Sequence, residues 1–262
     1  MADPHDLLQV AVEAARAAGN LLLEGQESAD RAADAETKTS GTDMVTEMDR
    51  ASEALVARII LEARPDDAFL GEEGTSGVGT TGVRWVVDPL DGTTNYLYGF
   101  PAWAVSVAAE VDGRMAAGAV FDPTHDQMFT AALGGGARCG SRPLRVEGAA
   151  DLATALVATG FGYDASARGL QAAELAQLIP SVRDVRRAGS AALDLCWVAL
   201  GRVDLYYERG IQPWDWAAGG LIAAEAGARV TSFDDGTVLA APPHLHDPFL
   251  ELLRGARARA GT

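Results

Sequence analysis

The sequence predicts a mixed α+β and α/β chain: an α+β region over residues 1–150, with two helices on a largely antiparallel sheet, then a layered α/β region over 151–262. Three observations lead there. The 262 residues are 48% hydrophobic and contain no apolar run of membrane-spanning length, which suits one large globular unit or two modest ones sharing a core. Before Gly148, helix-period stripes give way to short runs rich in Val, Ala and aromatics, separated by Gly, Asp-Gly and Pro turns. After Gly148, strand-like and helix-like segments alternate.

Leu7, Leu8, Ala11, Ala14, Ala15, Ala18, Leu21 and Leu22 share one helical face, so a helix is expected from Asp6 to Glu24 with Asp3 or Asp6 as its cap. From Gly25 to Asp43 the period is lost, and a mobile loop containing Lys38 is expected. Thr46 and Asp49 have capping-box spacing, and Ala54, Leu55, Arg58, Ile59 and Leu61 carry a second helix that Pro65 ends. AFLGEE, RWVVDP, AWAVSVAAEV, RMAAGAVFDP and DQMFTAA read as strands of one sheet, with a hairpin signal at Asp112-Gly113. Strands are then expected at Leu152 to Ala158, Val182 to Val185, Val203 to Tyr207 and Arg229 to Phe233. Helices are expected at Leu170 to Ile179, Ser190 to Leu200, Trp214 to Ala226 and Pro248 to Arg257.

Thirty-seven acids against 21 bases give a net charge of −16, which repels phosphate backbones at long range. The densest basic cluster, Arg183, Arg186 and Arg187, is too small to offset it, so neither nucleic-acid binding nor membrane association is expected. Cys139 and Cys196 lack disulfide or zinc spacing and are expected to be buried small hydrophobes. The first twenty residues start acidic and turn helical, unlike a signal peptide, so a cytoplasmic location is expected. His244 and His246 are expected at the surface of a Pro-rich loop. Phe100, Trp103, Trp197, Trp214 and Trp216 are expected in core or interface positions rather than as ligand platforms.

The chemistry concentrates in Trp85-Val86-Val87-Asp88-Pro89-Leu90-Asp91-Gly92-Thr93-Thr94-Asn95. An apolar strand runs into two aspartates at its C-terminal end, where backbone groups can face a ligand. Pro89 removes a donor and leaves the Leu90 carbonyl available as a neutral oxygen beside both carboxylates. Such an all-oxygen set suits Mg²⁺ or Mn²⁺ rather than zinc. Gly92, Thr93 and Thr94 add backbone N–H groups and hydroxyls of the kind that cradle a phosphate.

WVVDPLDGTTNYLYGFP resembles the signature of the inositol monophosphatase family, magnesium-dependent, lithium-sensitive phosphatases related in fold to fructose-1,6-bisphosphatase. TDMVTEMDRASE, FLGEE, GAVFDP, GGGARCG, ATGFGYD, RRAGSAALDLC, VDLYYERG and WDWAAGGLIAAEAG follow the same order. The resemblance implies a layered αβαβα sandwich and a homodimer. It implies metal ligation by Glu72, Asp88, the Leu90 carbonyl, Asp91 and Asp215, with two to three Mg²⁺ per site. Asp49 is locally a capping-box acid, or by resemblance the group that orients Thr93; Asp215 can cap its helix and bind metal at once. Asp91, Gly92, Thr93, Gly189, Ala191, Glu208 and Asp215 are the implied substrate contacts, Glu208 reading polyol hydroxyls. Lys38, the one lysine of the chain, lies in the loop where a family lysine approaches the metal site.

The implied reaction is hydrolysis of myo-inositol 1-phosphate or a similar small polyol phosphate by water, with Glu72, Thr93 and Asp49 as catalytic residues. No Ser or Cys nucleophile motif competes with this. Histidinol phosphate, fructose-1,6-bisphosphate and nucleotide phosphates are alternative substrates, and a regulatory protein binding the transcription machinery is an alternative of another class.

Overall fold

The computed structural model describes residues 2–28, 36–37, 44–45 and 47–261. Lys38 and Thr46 lie outside them, and with them the expected loop contribution and the Thr46 half of the capping box. In chain order the first half holds α1 (Pro4–Ser28), β1 (Glu36–Thr37), β2 (Met44–Val45), α2 (Glu47–Ala63), β3 (Ala68–Gly71), β4 (Ser76–Gly77), β5 (Val83–Asp91), α3 (Thr93–Tyr98), β6 (Ala104–Val111), β7 (Arg114–Asp122), β8 (Gln127–Ala132), β9 (Gly136–Cys139) and β10 (Arg142–Pro143). The second half holds β11 (Leu156–Thr159), α4 (Ala165–Leu178), β12 (Asp184–Arg186), α5 (Ala191–Leu200), β13 (Leu205–Arg209), α6 (Pro213–Glu225), β14 (Arg229–Ser232), β15 (Thr237–Ala241) and α7 (Pro243–Ala260).

Two sheets organise these elements. Eight strands run in the order β10-β9-β8-β7-β6-β5-β3-β4, antiparallel except where β3 meets β5. Five run in the order β12-β11-β13-β15-β14, with β11 parallel to both neighbours and β15 antiparallel to both of its own. α1 and α2 bury their apolar faces on one side of the larger sheet, and α5 and α6 lie between its other side and the smaller sheet. α7 covers the far side of the smaller sheet. The layers are therefore α, β, α, β, α. Strands β6 and β7 are covered on both faces, which is why AVSVAA and AAGAVFD read as unbroken apolar runs instead of alternating.

Small residues set the layer spacing. Ala11, Ala14, Ala15 and Ala18 of α1 are fully buried, and a Cβ on Gly19 would stand 2.4 Å from the Phe121 ring. Between the sheets, a Cβ on Gly118 of β7 would come within 3.0 Å of the Ala218 Cα of α6.

Several expectations need correction. The segment from Leu152 opens as a 3₁₀ turn capped by Asp151, and its strand starts only at Leu156. β15 was not foreseen. The last helix begins at Pro243 and carries Pro248 in its second turn, because Pro243 rather than Pro248 holds the first-turn place that tolerates a missing N–H. That helix also internalises one of the two histidines expected at the surface. His246 is fully buried, with Nε2 3.0 Å from Thr231 Oγ1 and Nδ1 3.0 Å from Asp247 Oδ1, while His244 stays exposed. Phe100, expected in the core or an interface, is 52% exposed, which places it outside the core.

Burial lowers the His246 pKa below the ordinary 6.5. A depressed histidine contributes stability that is complete above pH 6.5 and lost as pH falls through its folded value. His246→Gln is therefore expected to flatten the fall in stability below pH 6.5, measured as the difference in urea midpoint between variant and wild type across that range; parallel curves would refute it.

Candidate active site

The site forms where β5 stops being a regular strand. Its register with β6 slips between Asp88, paired with Ser106, and Asp91, paired with Ala104, so one extra residue is accommodated as a bulge. The bulge turns both aspartates and the Leu90 carbonyl into a cavity of about 430 Å³. Asp88 Oδ1 accepts from Leu90 N at 3.0 Å, and the Pro89 carbonyl is tied down by Ser52 Oγ at 2.7 Å. Gly92 then turns at φ 95°, where a Cβ would press within 2.9 Å of the Ala102 carbonyl.

The cavity is lined by Glu72, Asp88, Leu90, Asp91, Gly92, Thr93, Gly189, Ala191, Glu208 and Asp215, every metal and substrate residue singled out from the sequence. Asp49 stands behind it, with Oδ1 2.9 Å from Thr93 Oγ1. The Thr93 hydroxyl also lies 3.2 Å from the Leu90 carbonyl. Trp214, expected to be core or interface, is part of the cavity wall.

Neutral donors hold the carboxylates. Asp91 Oδ2 accepts from Ser190 Oγ at 2.6 Å and from Ala192 N at 2.7 Å, so the start of α5 grips it. Asp215 Oδ2 accepts from Gln212 N at 2.6 Å, capping α6 while its carboxylate lines the cavity. Tyr206 Oη donates to Glu208 Oε2 at 3.0 Å. A Cβ on Gly160 would lie 2.1 Å from that same Glu208 oxygen, so a larger residue there would displace the Glu208 carboxylate from this position.

Burial and mutual repulsion raise the acids together. Asp88 is pushed well above the usual carboxylate range by burial, then by Glu72, Asp91 and Asp215. Burial brings Asp91 to about 6, against the pull of its Ser190 and Ala192 bonds. Asp215 is raised well above its ordinary value by burial and by Asp91, and burial brings Glu208 to about 7. Among the described residues, Asp88, Asp91 and Asp215 have no ion pair with Lys or Arg, and no group of three or more His, Cys, Asp or Glu is placed to hold a metal ion as it stands. The donor set is nevertheless all oxygen and negatively charged, which fits a hard divalent ion.

Residues 3–257 match the inositol monophosphatase family. The chain belongs to the inositol monophosphatase family. It is 49% identical to "Inositol-1-monophosphatase SuhB" of Mycobacterium tuberculosis (strain CDC 1551 / Oshkosh) over 232 residues, covering 83% of this chain and 80% of that relative. It is 43% identical to "Nus factor SuhB" of Pasteurella multocida over 244 residues, covering 92% and 90%. The solved inositol monophosphatase from Anabaena (Nostoc) sp. PCC 7120 superimposes with a TM-score of 0.83 at 37% identity, covering 96% of each chain.

Several residues that position the walls of this cavity carried no separate signal in the sequence. Glu53 is buried and accepts from Glu73 N at 2.7 Å and Thr75 N at 2.8 Å, fixing the turn after Glu72. Asn95 Nδ2 donates to the carbonyls of Ala102 at 2.6 Å and Ala188 at 2.8 Å, joining α3 to the segment before α5. Asp194 is buried behind the cavity with no partner for Oδ1, and burial, Glu208 and Asp91 raise its pKa well above the ordinary value. Glu53 could have been found as the acid ending TDMVTEMDRASE, one helical turn after Asp49; the others are long-range contacts.

An acid raised on folding contributes stability below its unfolded pKa that is lost as pH rises through the folded one. Asp91 is thus expected to contribute less stability to the metal-free chain as pH rises from 3.8 through about 6, read as the difference in melting temperature between wild type and Asp91→Asn. Mg²⁺ should restore more stability at the upper end of that range than at the lower, because it binds the ionised native site. Melting curves with EDTA or Mg²⁺ check this, and an equal Mg²⁺ effect at both ends would contradict it.

Proposed function

We propose that the chain is a Mg²⁺-dependent phosphomonoesterase that hydrolyses myo-inositol 1-phosphate, or a similar small polyol phosphate, to the alcohol and inorganic phosphate in the cytoplasm, as a homodimer. One observation carries the reading: a single cavity gathers Glu72, Asp88, Asp91 and Asp215, and also admits Glu208 with a free acceptor oxygen. Glu72, Asp88 and the Leu90 carbonyl would hold one Mg²⁺, and Asp88, Asp91 and Asp215 a second, with room for a weaker third beside Glu72. Bound Mg²⁺ lowers the pKa of water and offsets the charge of the phosphoryl group.

The chain's own groups supply the alignment. Thr93, donating its one hydroxyl proton to Asp49 Oδ1, turns a lone pair of Oγ1 toward the cavity and can accept a hydrogen bond from the attacking water. That bond points an oxygen lone pair of the water at phosphorus. Glu72 would take the water's proton on a carboxylate oxygen as the bond to phosphorus forms and the bond to the alcohol oxygen breaks, and the departing alkoxide would recover a proton through water to leave as the alcohol. At the other end, Tyr206 occupies Glu208 Oε2, leaving Oε1 to accept from a substrate hydroxyl. Gly189 and Ala191 line the same cavity, where their backbone groups would meet substrate hydroxyls.

Relatives named Nus factor SuhB, such as that of Pasteurella multocida at 43% identity, support a second reading in which the chain also associates with the transcription machinery. Capture of RNA polymerase by the purified chain tests it.

A Mg²⁺-dependent phosphate-release panel of myo-inositol 1-phosphate, histidinol phosphate, fructose-1,6-bisphosphate and adenosine 3′,5′-bisphosphate, with and without Li⁺, tests the main reading. Asp91→Asn keeps the shape that accepts from Ser190 and Ala192 but removes the charge. It is expected to abolish turnover, a loss beyond about a thousandfold, with the fold intact by circular dichroism; wild-type Mg²⁺-dependent activity in this variant would sink the site. Glu208→Gln is expected to raise KM for the polyol phosphate about tenfold while changing hydrolysis of p-nitrophenyl phosphate less than twofold. Equal effects on both substrates would remove Glu208 as the polyol reader.

A further inference from the structure

One buried neutral side chain touches two walls of the cavity at once. Gln171 of α4 is 8% exposed; its Oε1 accepts from Gly162 N at 2.9 Å and its Nε2 donates to the Arg209 carbonyl at 3.1 Å. Gly162 belongs to the 160–163 loop that leaves β11. Arg209 ends β13, directly after Glu208, and leads through 210–212 to α6. Residues 160–163 and 208–212 all line the cavity.

The topology explains why an amide is needed there. β11 and β13 are parallel neighbours paired up to Thr159 and Tyr207. Beyond those residues the two backbones diverge, and the Gly162 N–H and Arg209 C=O no longer face each other. A primary amide has the donor and acceptor of a peptide group, so Gln171 continues the interrupted ladder through a side chain. The loop it holds is the one that closes on Glu208 at Gly160. Without the amide, a partly buried N–H and C=O would lose their partners and the walls would separate to reach water.

We propose that Gln171 is a positioning residue for the alcohol: by tying the 160–163 loop to the 208–212 segment, it sets the width of the part of the cavity that receives the leaving group. The proposal rests on the phosphomonoesterase reading above. Gln171 makes no hydrogen bond to Glu72, Asp88, Asp91 or Thr93, and Asp215 keeps its own bond to Gln212 N. Its loss should therefore weaken substrate binding while leaving the hydrolytic step in place.

The test compares wild type with Gln171→Met, which matches the length without the polar atoms, and with Gln171→Glu, which keeps the acceptor for Gly162 N–H but has no donor for Arg209. With saturating Mg²⁺, Gln171→Met is expected to raise KM for myo-inositol 1-phosphate about tenfold, keep kcat within about twofold, and leave p-nitrophenyl phosphate hydrolysis nearly unchanged. Gln171→Glu should fall between the two, with exchange of the Gly162 amide as slow as in wild type and faster only in Gln171→Met. Unchanged KM, or equal losses on both substrates, in an active enzyme overturns the inference alone; a wild type that hydrolyses neither substrate overturns the functional reading and the inference together. Should Gln171→Met not fold, Gln171→Glu is read by the same KM and kcat split.

Discussion

The constraint on which the site depends is the repulsion among carboxylates that folding forces into one cavity. Asp88 and Asp91 arrive on one bulged strand, Glu72 follows the strand beside it, and Asp215 enters from the first turn of α6. The immediate partners of Asp88, Asp91 and Asp215 are a hydroxyl and backbone amides, which orient an oxygen without cancelling its charge. Burial and neighbouring charge raise Asp88, Asp91 and Asp215 together, so the arrangement is costly until a cation shares it. The same repulsion would favour a small ion of high charge, as the proposed function requires, because such an ion offsets the repulsion of all the acids at once.

The local part of the design was legible in the sequence. An apolar strand ending in Asp-Pro-Leu-Asp-Gly-Thr-Thr specifies its own turn, and Gly92 adopts the left-handed conformation that such a turn demands. Helical periodicity located α1 and α2 to within a few residues at their ends, and the near-continuous apolar runs found β6 and β7 because helices cover both faces. The positions of Asp215 and Glu208 in the same cavity came only through family resemblance; no spacing in the chain states that residues over a hundred apart will converge. The supporting residues were hidden for a related reason. Glu53, Asn95 and Gln171 act on backbone groups, and a backbone N–H or C=O leaves no mark in the sequence. His246 misled because its Pro-flanked segment has loop composition, whereas burial on β14 through Thr231 makes it helix and core.

The two sheets contribute different chemistry. The larger supplies Asp88, Asp91 and the Leu90 carbonyl, and the smaller supplies Glu208 and the loops beside it; under the proposed function these would face the phosphate and the alcohol. Between them lie α5 and α6, packed on both, and the first residues of these helices meet the site: Ser190 and Ala192 hold Asp91, and Gln212 holds Asp215. The distance from Asp215 to Asp88 is then a property of the middle layer. It depends on how closely α6 lies on β7, which is fixed by a missing side chain at Gly118 against Ala218. A larger residue at Gly118 would displace α6 as a body, since packed interiors transmit strain instead of absorbing it. A buried glycine remote in sequence from the cavity acids would thereby bear on whether Asp215 and Asp88 can share the Mg²⁺ proposed for them.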